Sequence, residues 1–196
     1  MVAPTREQQR LRTRKRILRE ALAVFRRDGV QAARIDDITR AAGVSRGTFY
    51  FHFPTKDDVL LARIGHTEDK MARAIEALPA RASVGAVLDV VGRAMAAELE
   101  PDPALLPDVA AAALRRTAQA PRDRDSSALR ASLAARFRAA AGRGQLNLAL
   151  PGELLADIYL GLALGALLAW RGHRSTPLRA VLDGVARLFL HGAQRG

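Results

Sequence analysis

The residues able to do covalent or metal chemistry are few and scattered along the chain. His52, His66, His173 and His191 lie far apart, and no two of them stand at metal-ligand spacing. Cysteine is absent, which removes disulfides and thiolate metal sites. No glycine-rich phosphate loop occurs. Asp157, inside an otherwise apolar run, is the most unusual carboxylate, and a cap, a bond to a neighbouring tyrosine or a contact between subunits accounts for it without catalysis. We therefore expect no catalytic residues, no metal, no cofactor and no enzyme activity. One cluster does have the chemistry of recognition: Arg46, Gly47, Thr48, Tyr50 and His52 follow Ser45 within a single short stretch. Side chains of these types reach base edges or phosphates, and the glycine lets a backbone come close to a ligand.

Two short helices must hold that cluster. The positions Ile35, Ile38, Ala41 and Ala42, then Val44, then Thr48, Phe49 and Tyr50 suit two short helices sharing one core. Gly43 lies between them and can take the positive φ that ends a helix. Ser45 has the hydroxyl needed to cap the next one. The pattern predicts a helix-turn-helix over Ile35–Phe53, whose second helix enters the major groove of a DNA duplex. Phe49 and Phe53 are expected in the core. Upstream, Ile17, Leu18, Ala21, Leu22 and Phe25 form an amphipathic stripe over Arg12–Asp28, closed by Gly29. That helix should complete a bundle built around Leu22, Phe25, Ile35, Ile38, Val44 and Phe49. Its other face carries Arg12, Arg14, Lys15, Arg16 and Arg19, which serve either as phosphate contacts or as a solvated face.

The run AAGVSRGTFYFHFPTKDDVL, residues 41–60, resembles the signature of the TetR family of bacterial transcriptional regulators, and the resemblance extends over Arg12–Leu60. It implies an all-α protein: a three-helix helix-turn-helix DNA-binding domain followed by a larger helical ligand-binding and dimerisation domain, about nine helices in all. It also implies repression of a palindromic operator by a homodimer, released by a small-molecule effector. Carried over by position, the DNA-contacting set is Arg34, Thr39, Ser45, Arg46, Gly47, Thr48, Tyr50, His52 and Lys56, with Tyr50, His52 and Lys56 on phosphates. Two positions depart from the pattern. Arg34 stands where a threonine commonly caps the second helix, leaving Asp36 and Asp37 to complement its dipole. Thr39 stands where alanine is usual, and it either presents its hydroxyl to DNA or repacks.

Charge agrees with a polyanionic partner. The chain has a net charge of +11, and residues 1–52 hold twelve Arg or Lys against five Asp or Glu. A GC-rich genome explains why only Lys15, Lys56 and Lys70 are lysines, but not why the excess sits at the N-terminus. Apolar residues make up 49% of the chain, enough for a globular core rather than disorder. Met1–Arg19 lacks an apolar signal segment, and a cytoplasmic setting is expected. Residues 1–11 read as a flexible basic arm, with Arg6 and Arg10 either draped on DNA or simply solvated; residues 12–55 then form the DNA-binding domain and 56–196 the ligand and dimer domain.

The link between the two is expected over residues 56–78, capped by Thr55 with Asp58 three residues on. Further helices are expected at Val84–Glu100, Leu105–Gln119, Ser126–Ala141, Glu153–Arg171 and Leu178–Gly192, separated by prolines and glycines such as Pro101, Pro121 and Pro151. No segment alternates with period two, so no strand is expected. Leu154–Trp170 is apolar nearly all round. It is short for a membrane span and contains Asp157, so burial between helices is expected rather than a bilayer. The resemblance places the dimer interface on the last two helices, with Leu155, Ile158, Gly161, Leu162, Gly165, Val181, Leu182, Val185 and Phe189 as candidates. It places the effector cavity among the middle helices, and Met95, Leu99, Leu114, Phe137, Tyr159, Leu162 and Trp170 are the large side chains there; each serves either as a ligand contact or as plain core. An architectural DNA-coating protein without an effector is the other reading of the charge.

Overall fold

The computed structural model describes residues 5–119, 127–146 and 150–193. Among them are nine α-helices, one short 3-10 turn and no strand. Three helices make the N-terminal head: α1 (Arg6–Asp28), α2 (Ile35–Ala42) and α3 (Arg46–His52). Six make the body: α4 (Lys56–Glu76), α5 (Val84–Leu99), α6 (Leu106–Gln119), α7 (Ala128–Gly142), α8 (Gly152–Trp170) and α9 (Leu178–Ala193).

The first helix starts earlier than the apolar stripe suggested. Thr5 and Gln8 form a reciprocal capping box, each side chain accepting from the other's backbone N–H, so the helix begins at Arg6. The expected arm is therefore corrected: residues 6–11 are the first turns of α1, made helical by a cap upstream of any apolar period. The part of that arm before Thr5 lies outside the described residues, as do Pro121 and Ser126. At the other end of the head, Thr55 and Asp58 cap α4 as their spacing implies. Arg34 gives α2 no side-chain cap, and Asp36 and Asp37 occupy its first turn.

Two cores sit end to end. The head core holds Ile17, Ala21, Phe25, Ile38, Phe49 and Phe53 with Val59 and Leu60 of α4. Leu22, Ile35 and Val44, expected at its centre, are only partly buried at its margin. Leu105 and Ala112 also belong to this core. The body thus reaches into the head through η1 (Pro103–Leu105) and α6. The body core gathers α5, α7, α8 and α9 around Leu88, Val91, Leu133, Phe137, Tyr159 and Phe189. The Phe189 ring lies 5.5 Å from both Phe137 and Tyr159. Burial pushes the Tyr159 hydroxyl up to about 12, so it stays protonated across the working range.

At Gly152, where α8 starts against α7, a Cβ would stand 2.6 Å from the Ala134 carbonyl. Only glycine fits there, and α8 starts at that residue. Among the described residues α8 is the one helix long and apolar enough to cross a membrane. Here it lies against α6, α7 and α9. One face, with Leu155, Ala156, Tyr159, Ala163, Leu167 and Trp170, is buried in the body.

Candidate functional site

The turn between α2 and α3 is built as the residue types require. Gly43 adopts the left-handed conformation (φ 61°, ψ 44°), its N–H donating to the Arg40 carbonyl at 3.2 Å while Val44 donates to Thr39 at 3.0 Å. That double bond pattern closes the helix, and a side chain at Gly43 would be strained. Ser45 then caps α3, its Oγ accepting from the Thr48 N–H at 3.1 Å. Its hydroxyl also shares a hydrogen bond with Thr48 Oγ1 at 2.9 Å.

Phe49 and Phe53 anchor α3 in the head core, both fully buried. Arg46, Gly47, Tyr50 and Phe51 consequently stand outward and exposed, with Thr48 half-buried at the edge. Arg46 reaches back to Asp36 at 3.3 Å, an exposed pair that water screens and a phosphate or base can displace. Tyr50 packs edge-on against Phe49 at 5.5 Å, leaving its hydroxyl end free to extend. His52 is half-buried, and its imidazole is held below its ordinary value by burial first and then by the Arg14 and Arg10 charges. It is therefore neutral near pH 7 in the free protein.

Several expected contact residues are placed differently from a simple reading of spacing. Arg14 of α1 donates to the His52 carbonyl at 2.6 Å and lies 4.2 Å over the Phe53 ring, so it braces the C-terminus of α3. Arg12, Lys15 and Arg16 remain exposed on the same helix. Thr39 is buried, and its hydroxyl donates to the Asp36 carbonyl at 3.1 Å within its own helix. Of the two alternatives for Thr39, the geometry is that of repacking. Lys56 donates to the carbonyls of Val30, Gln31 and Ala33 at 2.8, 2.8 and 2.9 Å. All three ammonium protons tie α4 to the α1–α2 connection, and a phosphate would have to compete for them. Arg34 is exposed at the start of α2.

A cavity of about 290 Å³ opens in the body between α4, α5, α6, α7 and α8. Met95, Leu99 and Leu114 line it, as their sizes and places suggested. Phe137, Tyr159, Leu162 and Trp170 do not. Phe137 and Tyr159 are packed into the body core on the far side of α7 and α8. Trp170 donates to the Thr176 carbonyl at 2.7 Å and so closes the α8–α9 turn, and Leu162 faces outward. Sequence spacing missed the cavity's polar wall. Arg130 holds Asp157 through two bonds of 2.7 and 3.0 Å, which accounts for the carboxylate in the apolar helix. Arg63, Thr67 and Glu68 of α4 complete the wall.

Arg63 also connects the cavity to the head. It donates to Asp102 at 2.7 Å, and the same carboxylate takes two bonds from Arg26 of α1 at 2.6 and 2.7 Å. Asp102 is held below the ordinary carboxylate range, first by the Arg26 hydrogen bonds and then, against burial, by Arg63. Three segments far apart in sequence thus meet on one carboxylate.

The outer face of the body is the other unfilled surface. Leu154, Ile158, Leu162 and Leu168 of α8 and Leu188 of α9 are exposed, with Gly161 and Gly165 between them. Of the residues assigned to an interface by sequence, Ile158, Gly161, Leu162 and Gly165 lie on this face. Val181 and Val185 are half-buried beside it. Leu155, Leu182 and Phe189 are corrected: they are 1, 1 and 6% exposed and belong to the chain's own core. A residue's neighbour in sequence points about 100° away on a helix, which separates Leu154 from Leu155. Among the described residues no group of three His, Asp or Glu side chains could hold a metal ion.

A family model described as "Bacterial regulatory proteins, tetR family" matches residues 17–62, which span most of α1, the helix-turn-helix and the start of α4. The HTH-type transcriptional regulator TcmR of Streptomyces glaucescens is 34% identical over 100 residues, covering 48% of this chain and 44% of that protein. The chain thus matches less than half the length of that curated relative. Over its full body it superposes on solved structures. Thermus thermophilus FadR, a TetR-family repressor in complex with lauroyl-CoA, gives a TM-score of 0.65 at 25% identity, covering 91% of this chain and 94% of that one. Bacillus subtilis FadR in complex with stearoyl-CoA gives 0.70 at 20% identity over 91 and 98% of the two chains, a likeness of fold. With the matched head and the two-part helical architecture shared with these structures, the chain is similar to the TetR family of bacterial regulatory proteins.

Proposed function

We propose that this protein is a cytoplasmic, ligand-responsive transcriptional regulator and not an enzyme: a homodimer that represses by binding a palindromic operator and is released by a small molecule. The observation that carries the reading is the α2–Gly43–Ser45–α3 unit, which presents Arg46, Gly47, Thr48 and Tyr50 on the outward side of a basic head. In this reading residues 12–55 recognise DNA, 56–78 link, and the rest binds effector and partner subunit. Arg46 and Thr48 read bases, while Tyr50, His52, Arg34 and the exposed cations of α1 meet phosphates.

One short helix contacts few base pairs, so two heads related by a two-fold axis are needed to read a site with useful selectivity. The exposed apolar stripe on α8 and α9 is the surface suited to join them. The effector is taken by the body cavity, whose wall is mainly apolar with the Arg130–Asp157 pair at one side. The Thermus relative holds an acyl-CoA, and a small, largely apolar molecule suits the cavity here. Filling it acts on α4 through Arg63, Thr67 and Glu68, and Arg63 shares Asp102 with Arg26 of the head. Effector binding therefore favours a state in which the heads no longer match the half-site spacing.

Selection of random duplex DNA by the purified protein, followed by sequencing of the bound pool, tests the reading. A palindromic motif is the expected result. Binding that falls steeply with salt and yields no motif would show an architectural protein instead.

A further inference from the structure

The recognition helix carries one exposed residue that a phosphate-and-hydrogen-bond account of DNA binding leaves unused. Phe51 is 72% exposed, has no polar atom, and rests edge-on against the His52 ring at 5.1 Å. At about 100° per residue it points roughly 160° away from Phe49, the anchor of α3 in the core, and so stands at the centre of the outward face. One turn earlier on that face is Gly47. Nothing inside the protein demands glycine there: a Cβ would meet only Ser45 Oγ, at 3.8 Å. A small residue and a large apolar one, neither required by the fold, form a step on the surface that faces the partner.

Resting on the DNA-binding reading above, we propose that Phe51 is a specificity-determining residue that packs on a thymine C5-methyl group in the major groove, Gly47 letting the helix come close enough for it to reach. The thymine methyl is the apolar group that base edges present in that groove, and a phenyl ring covers it without any hydrogen bond. Contact with it distinguishes A·T from G·C at one position of each half-site. The surrounding Arg46, Thr48 and Tyr50 offer hydrogen bonds, so the apolar contact adds information they do not carry.

The test removes the methyl from the DNA and the ring from the protein. An operator selected by the wild-type chain is resynthesised with each thymine replaced in turn by deoxyuridine, and dissociation constants are measured by fluorescence anisotropy for wild type, Phe51→Ala and Phe51→Leu. At one thymine per half-site the replacement should weaken wild-type binding by about fourfold, the effect of burying one methyl group. The same replacement should leave Phe51→Ala indifferent and Phe51→Leu partly sensitive. Because the side chain is exposed, the thermal melt of Phe51→Ala should match that of wild type. A selected operator at which all three proteins respond alike to every deoxyuridine overturns the assignment while leaving the regulator reading intact. Failure to select any motif overturns both.

Discussion

Lys56 shows how a side chain of the type suited to phosphate can be committed to the protein's own backbone. It lies in the first turn of α4, and its ammonium donates to the carbonyls of Val30, Gln31 and Ala33. These are charge-assisted bonds to backbone oxygens in the α1–α2 connection, and their loss leaves acceptors in a partly buried site unpaired. Replacing Lys56 by Met should therefore lower head stability by about 2 kcal/mol, read from urea or thermal melts. A lysine serving phosphate alone would leave the melt unchanged and reduce the slope of affinity against salt by roughly one. Arg14 follows the same logic: its position on a basic face suggests DNA, while its bond to the His52 carbonyl and its seat over Phe53 make it part of the support for α3.

At the level of elements, the joint between head and body is the Asp102 carboxylate together with the apolar insertion of Leu105 and Ala112 into the head core. Arg63 and Asp102 have side chains only 10 and 14% exposed, so removing one partner strands a charge out of water. Asp102→Asn should destabilise the chain by roughly 3 kcal/mol at pH 7. The pH dependence carries the sign of the interaction. Asp102 is depressed in the folded state, so the unfolded chain binds the proton more readily. Its contribution is complete above the ordinary carboxylate value of 3.8 and is lost as pH falls through the lower folded value. In a series of melts the gap between wild type and Asp102→Asn should thus be constant at neutral pH and narrow in acid. A gap independent of pH would mean that the carboxylate's charge does not hold the joint.

For the whole molecule the decisive surface is the one the single chain leaves bare. Leu188 is 75% exposed on α9, and Ile158 and Leu162 of α8 are exposed as well. A stable interface buries about 800 Å² per partner, and a charge at its centre without a counter-charge is strongly disfavoured. For the proposed homodimer, Leu188→Glu should give a monomer in sedimentation velocity at micromolar concentration, with the helical content unchanged. Operator affinity should fall far more than affinity for random duplex, because only paired heads read both half-sites. An unchanged sedimentation coefficient would place the interface elsewhere.

Local rules made much of this molecule legible without coordinates. Gly43, Ser45, Thr55 and Asp58 act through neighbours within four residues, so their turn and caps follow from residue type and spacing. The absence of strands among the described residues and the buried anchors Phe49 and Phe53 follow from periodicity in the same way. Even the start of α1 was written in Thr5 and Gln8, though the lack of an apolar period there hid it. What tertiary structure decided are contacts between segments that no local pattern relates. Arg26, Arg63 and Asp102 converge from three elements, Arg130 finds Asp157 across α7 and α8, and Lys56 reaches back over the head. The same holds for the two faces of α8: a helix apolar all round gives no phase by itself, and only the packing of α7 and α9 turns Leu155 inward and leaves Leu154 and Ile158 exposed.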